Sequence, residues 1–237
     1  MRLYRGDGQV DDRCLLFFVR NPERGAVKSR LAGVLGEEVA VGLYENFILD
    51  MLSTLEKGGF SCSVCFYPAD ALADIKEVLG AQYRYLPQQG ADLGERMKHC
   101  LHQAFSAGFL RAVLIGSDLP DLPGDIVDES FASLQRVDAV IGPARDGGYY
   151  LIGFKKDSFT PEVFRDMPWG TETVLQQTID MLQNHQRTIH LLPSWDDIDN
   201  LEDLAKFVER NRKTSRCPRT MAYLKDKDVL ARRRREP

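Results

Sequence analysis

No stretch of this 237-residue chain approaches the roughly 20 consecutive apolar residues a helix needs to cross a bilayer, so no membrane span is expected. Met1 to Arg13 is charged and lacks the apolar centre of a secretory leader, and a cytoplasmic location follows as an expectation. Cysteine is scarce: five residues, an odd number with no regular framework, suit a reducing compartment better than a disulfide scaffold. Positive charge is not in excess either. The formal net charge of −4 supplies no field for binding nucleic acid, and the four arginines at Arg232 to Arg235 read as a solvated tail. Also missing are the glycine-rich phosphate loops. The loop Arg20 to Arg30 has one glycine and no Gly-Lys-Thr, so it is neither a Walker loop nor a dinucleotide fingerprint. Cys62 and Cys65 have the spacing of half a zinc site, but they fall in a predicted strand and no second Cys or His pair completes four ligands.

What is present is a βαβ rhythm. With 43% hydrophobic residues the chain can bury one large α/β core. Cys14 to Val19 is apolar throughout, the pattern of a strand buried on both faces of a parallel sheet. From Glu37 to Lys57 apolar pairs recur every four residues and predict an amphipathic helix, which Gly58 and Gly59 end. Strands are expected near Cys62 to Tyr67, Tyr83 to Leu86, Ala112 to Ile115, Val137 to Gly142, Tyr149 to Phe154 and Thr188 to Leu192. Between them lie predicted helices over Ala71 to Leu79, Asp92 to Ala107, Asp125 to Leu134, Trp169 to Gln183 and Leu201 to Asn211. Asp92 with Glu95, and Thr173 with Gln176, have the spacing of capping boxes. Beyond Lys213 the composition turns basic and loses periodicity, which divides the chain into a domain over residues 1–212 and a basic tail over 213–237.

Several stretches at predicted strand ends carry chemistry. Gly116-Ser117-Asp118-Leu119-Pro120 delivers a carboxylate to the carboxyl edge of the sheet, where open α/β folds bind ligands. Such an acid suits magnesium shared with a phosphate, or it caps the next helix. Gly25 to Arg30 follows the first strand, and Lys28 and Arg30 with the helix-start amides either converge on a phosphate or are solvated first-turn charges. Arg145-Asp146-Gly147-Gly148 combines a fixed acid with two residues that let a ligand approach the backbone, and is equally a common turn. Asp197 and Asp199 flank Ile198 at a helix start, where Asp199 is either a second ligand for the ion at Asp118 or a favourable dipole charge. No general base stands out, since none of the four histidines lies in these stretches.

Taken together, Gly25-x-Val27-Lys28-Ser29-Arg30, Asp92-Leu93-Gly94-Glu95-Arg96-Met97, Gly116 to Pro120, Gly142 to Gly153, Trp169-Gly170-Thr171 and Asp197-Ile198-Asp199 resemble one family. It is the radical-SAM or selenodomain-associated transferases, also called arsenosugar-biosynthesis glycosyltransferases, of the nucleotide-diphospho-sugar transferase superfamily. The resemblance spans about Cys14 to Leu204. It implies a three-layer α/β/α Rossmann-like GT-A fold with a mostly parallel sheet. It also implies Mg2+ or Mn2+ on Asp118 and Asp199, catalytic roles for Lys28, Asp118 and Asp146, and nucleotide phosphates at Gly25, Lys28, Arg30 and Ser117. The acceptor or sugar would meet Asp146, Gly147, Gly148, Trp169 and Thr171. The expected substrates are a nucleotide-sugar or NTP and a small acceptor. Asp118 is followed by Leu119 and Pro120 rather than by the Asp-x-Asp of typical GT-A glycosyltransferases, which keeps nucleotidylyl transfer with release of pyrophosphate as an alternative. An accessory nucleotide-binding protein without turnover is the third reading.

Overall fold

The computed structural model describes residues 12–23 and 25–229; most of the charged N-terminal stretch and the arginines at 232–235 lie outside the described residues. Arg13–Arg20 forms β1, an interior strand of a seven-stranded sheet. Alternation along it explains the layers. Leu15, Phe17 and Val19 enter one apolar core, while Cys14, Leu16 and Phe18 enter another on the opposite face. The remaining strands are β2 (Ser61–Tyr67), β3 (Arg84–Pro87), β4 (Arg111–Ile115), β5 (Ala139–Pro143), β6 (Tyr149–Lys155) and β7 (Ile189–Leu191), in the order β3-β2-β1-β4-β6-β5-β7. Among the described strands only β6 runs antiparallel, between β4 and β5.

Helices cover both faces. The first core takes side chains from α1 (Ser29–Leu35), α2 (Glu37–Leu55), α3 (Leu72–Leu79), α5 (Gly124–Ser133), α7 (Leu201–Asn211) and α8 (Pro218–Asp226). The second takes them from α4 (Leu93–Ser106) and α6 (Val174–Asn184). The result is a three-layer α/β/α Rossmann-like domain. After β1 the chain builds β2 and β3 outward, then returns to lay β4 on the other side of β1. The carboxyl ends of β1 and β4 therefore flank a topological switch point, the usual crevice for a ligand in such sheets.

Three sequence expectations are corrected. The chain leaving the first strand forms a separate short helix, α1, before α2. The helix expected from Trp169 begins only at Val174, and Thr173 makes no capping bond to its backbone; its hydroxyl instead accepts from Gln177 Nε2 and pairs with Thr171 Oγ1. Part of the expected tail is α8, which docks on α2. The fully buried Asp50 carboxylate accepts hydrogen bonds from the amides of Arg219 and Thr220, supplying from outside the cap that Cys217 lacks. Short-range periodicity missed this helix because its anchor lies on a distant element.

Candidate functional site

Two cavities meet at the switch point. One, of about 440 Å³, is open and polar, and is lined by Gly25 to Arg30 together with Arg20, Tyr44, Asp118 and Asp199. The other, of about 420 Å³, is largely apolar. Phe18, Met97, Leu114, Ile152, Tyr149 and Trp169 line it, with Asp118, Asp146 and Asp197 at one side. Arg20, Tyr44 and Asp118 belong to both.

At the junction, Lys28 bridges two carboxylates. Its Nζ makes an ion pair with Asp118 Oδ1 at 2.7 Å and donates to Asp199 Oδ1 at 2.9 Å, and its side chain is only 5% exposed. Burial alone would push this ammonium down, but Asp118 and then Asp199 outweigh it and hold it above the ordinary lysine value. Lys28 also sits at φ 49°, ψ 43°, a left-handed conformation at the start of α1 that is costly for a residue with a Cβ. Gly25, earlier in the same loop, takes φ 73° at no such cost. The loop is thus wound tightly enough to aim Lys28 inward, while Ser29 and Arg30 stay exposed beside the open cavity.

The Asp197-Ile198-Asp199 stretch splits its acids. Ile198 is fully buried, and its amide donates to Asp118 O at 3.1 Å. Asp197 lines the apolar cavity and Asp199 the polar one. The cap of α7 is made by neither acid. Asn200 Oδ1 accepts from the amides of Glu202 and Asp203, and Asp203 Oδ2 accepts from Asn200 N. Burial, followed by the charges of Asp199, Asp146 and Asp118, pushes the Asp197 carboxyl up to about 6. Four carboxylates therefore share one neighbourhood with the Lys28 ammonium, which opposes their charge.

The other sequence-selected residues divide. Asp146 and Gly148 line the apolar cavity, and Asp146 Oδ1 accepts from Gly148 N at 2.9 Å. Gly147 does not line it. Its φ is 89°, and a Cβ there would come within 2.2 Å of Glu172 O, so the space that glycine opens is filled by the chain itself. Trp169 and Thr171 line the cavity, with Trp169 packed on Gly94, where a Cβ would lie 2.8 Å from the indole. Ser117 Oγ is spent on Tyr44 Oη at 2.7 Å. Asp121, which follows Asp118 by three residues, turns away into a buried network with Arg210, Asn211 Nδ2 and Trp195 Nε1.

Sequence reasoning did not select Arg20, Tyr44, Tyr67, Gln88 or Arg96. Tyr44 is buried, accepts from Arg20 N at 3.0 Å, and has its phenol pushed up to about 12 by burial and then by Asp118. Gln88 directly follows β3. It is buried, and its Nε2 donates to Val19 O and Cys65 O, tying the ends of β1 and β2 at the cavity wall. A polar residue directly after a strand end was the available signal.

A divalent ion can be tested against these donors. Asp118 and Asp199 offer hard carboxylate oxygens at one point, and the Lys28 ammonium already placed between them shows that the point favours a cation. Among the described residues no three His, Cys, Asp or Glu side chains form a ready ligand set. That is compatible with magnesium, which typically takes one or two carboxylates and completes its shell with water and substrate phosphate. No described helix is long and apolar enough to cross a membrane.

Residues 51–171 match the family described as "Uncharacterized protein conserved in bacteria (DUF2064)". The chain belongs to that family. A crystal structure from Desulfovibrio desulfuricans G20, described as a "putative nucleotide-diphospho-sugar transferase", is 43% identical over 94% of this chain and 98% of its own, with a TM-score of 0.90. More distant solved structures share the fold. A nucleotidyl transferase from Methanothermobacter thermautotroptrophicus is 16% identical over 86% of this chain and 99% of its own, at a TM-score of 0.55. The 4-diphosphocytidyl-2C-methyl-D-erythritol synthase of Anaerococcus prevotii DSM 20548 is 13% identical over 86% and 100%, at 0.56. No curated protein sequence matches the chain.

Proposed function

We propose that this member of the DUF2064 family is a nucleotide-utilising transferase that moves a sugar from a nucleoside-diphosphate sugar to a small acceptor. The observation that carries the reading is the junction of two unlike cavities at Asp118, one polar with a basic loop and the other largely apolar. In this reading the loop Gly25 to Arg30 binds the donor's diphosphate, with Lys28 and Arg30 offsetting its charge. Asp118 and Asp199 are the residues that would hold Mg2+ or Mn2+, whose chemistry there is to neutralise the departing diphosphate. The ring walls of Tyr149 and Trp169 keep water from the transferred group, and Asp146 and Asp197 face the acceptor hydroxyl. The motif resemblance to arsenosugar-type glycosyltransferases, together with the 43%-identical relative described as a nucleotide-diphospho-sugar transferase, ranks glycosyl transfer first.

Nucleotidylyl transfer is kept as a second reading because of Asp121. Its carboxylate is committed to Arg210 and Asn211, so the β4 end presents a single acid, Asp118, instead of an Asp-x-Asp pair. A thermal-shift screen of the full chain against NDP-sugars and NTPs, with and without manganese, separates the two. A ligand bound only by the folded form raises its melting temperature by mass action. A manganese-dependent shift greatest for one NDP-sugar supports glycosyl transfer, one greatest for an NTP supports nucleotidylyl transfer, and no shift with any nucleotide overturns both.

A further inference from the structure

The apolar cavity has two charged ends of opposite sign. Its acidic end is Asp118, Asp146 and Asp197, near the carboxyl ends of β4 and β5. On the β2 side of the same cavity stand Arg20, which ends β1, and Arg96 of α4. Both guanidinium groups lie against the ring of Tyr67, at 5.7 Å and 3.7 Å from its centroid. Tyr67 closes β2, so a ligand reaching from Asp118 to this ring crosses two strand intervals, about 10 Å. Among the described residues no carboxylate lies within ion-pair reach of either arginine; Arg96 Nε donates to Gly90 O and Arg20 pairs with no acid. Stacking on one aromatic ring fixes both planar groups where flexible side chains would otherwise separate.

We propose that Arg20 and Arg96, held on Tyr67, bind the oxyanion of the acceptor, so that the acceptor is an anionic hydroxy compound: its carboxylate or phosphate at the arginines, its hydroxyl at Asp146 and Asp197. The orientation follows from charge. A molecule with negative charge at both ends is repelled by the acids, and a neutral one leaves two like charges side by side without a counter-ion. A planar carboxylate and a tetrahedral phosphate both accept forked guanidinium hydrogen bonds, so the shared chemistry is the oxyanion. This inference rests on the transferase reading for the word acceptor, but the binding preference itself does not.

The test is calorimetric titration of the full chain with glucose, glucuronate and glucose 6-phosphate, a series that keeps one skeleton and changes only the group at C6. The charged members should bind about ten-fold or more tighter than glucose, and the better of the two identifies carboxylate or phosphate as the natural group. In Arg96→Gln, and in Arg20→Gln combined with Arg96→Gln, that preference should disappear while weak binding of glucose persists. Arg96→Lys should keep part of it, since a point charge remains without the fork. Circular dichroism and melting temperature identify a variant that has failed to fold, and Arg20→Gln alone, at an exposed position, then carries the comparison. Equal binding of all three sugars, no binding of any, or a loss in the variants that is the same for glucose as for the charged sugars overturns the proposal. So does a loss confined to uridine, titrated beside the sugars as an uncharged nucleoside, which would make this corner a base pocket. Titration of UDP and GDP in parallel distinguishes the two readings. Diphosphates that do not bind while the charged-sugar preference holds would remove the transferase reading alone, and the reverse result would remove only this one.

Discussion

Lys28 and Asp118 come from loops 90 residues apart in sequence, yet their charged atoms lie 2.7 Å apart at the switch point of the sheet. The lysine reaches that position from a left-handed backbone, and the same ammonium also holds Asp199. A residue in a disfavoured conformation that joins two acids is a feature the surrounding fold must enforce.

Replacing Lys28 with methionine keeps most of the side-chain volume and removes the charge. In the proposed transfer the rate should fall about 10²-fold or more, because the charge assigned there to the departing diphosphate is gone. Manganese affinity in the absence of nucleotide should rise, since the ammonium no longer competes for the two acids. Initial rates and a manganese titration followed by electron paramagnetic resonance check both, and unchanged metal affinity would show that Lys28 does not occupy the cation position.

Asp118→Asn and Asp199→Asn should each weaken manganese and nucleotide binding together, by about ten-fold or more for each ligand. The expected signature is loss of the manganese-dependent part of the nucleotide-induced melting shift. If both variants bound metal and nucleotide like the parent, the two acids would not form a shared site.

Asp121→Ala removes a carboxylate that is 2% exposed and leaves Arg210, Asn211 Nδ2 and Trp195 Nε1 without their acceptor. Breaking a buried ion pair from one side costs about 3 kcal/mol or more. Denaturant unfolding should show that loss, and a change within about 0.5 kcal/mol would mean the network is dispensable.

Gly147→Ala forces a side chain to within 2.2 Å of Glu172 O at a φ of 89°. The residue 171–175 segment must retreat, at a cost of about 2 kcal/mol, and Thr171 moves with it away from the cavity. The expected result is a lower melting temperature together with a raised KM for the acceptor. An unchanged KM would separate Gly147 from the site.

Partial burial pushes the Asp138 carboxyl up, but hydrogen bonds from Thr188 N and Oγ1 and the ion pair with Lys155 outweigh it and hold it down at about 2. A carboxyl whose pKa is lower in the folded chain stabilises the fold above its ordinary value near 3.8, and that contribution drains away as the pH falls toward 2. Between those values the wild type should lose more stability than Asp138→Asn does. Parallel acid titration curves for the two would contradict the assignment.

The layers were legible where burial is uniform or periodic. Cys14 to Val19 and the four-residue repeat of α2 announce themselves, because a strand covered on both faces and a helix packed on one leave distinct patterns. Asp92 was legible as a cap, and its side chain does accept from Glu95 N. The acids were legible as positions at strand ends, but their partners were not. Nothing local to Lys28 says that it will choose Asp118 and Asp199, and Tyr44, which lies on a helix read only as core, is what fixes Arg20 N and Ser117 Oγ. Gly147 shows the same limit from the other side: a turn-like Asp-Gly-Gly reveals that a side chain is unwelcome, and only the fold reveals whether a ligand or the chain's own Glu172 is the reason.

Ile198 makes no chemistry of its own, yet it is the fully buried pivot of a three-residue segment whose acids look into different chambers, and its amide is fastened to the carbonyl of Asp118. The polar chamber and the apolar chamber are therefore mounted on one bracket. Loosening that single aliphatic anchor would misalign both at once, and the resulting defect could not be repaired by adding more of either substrate.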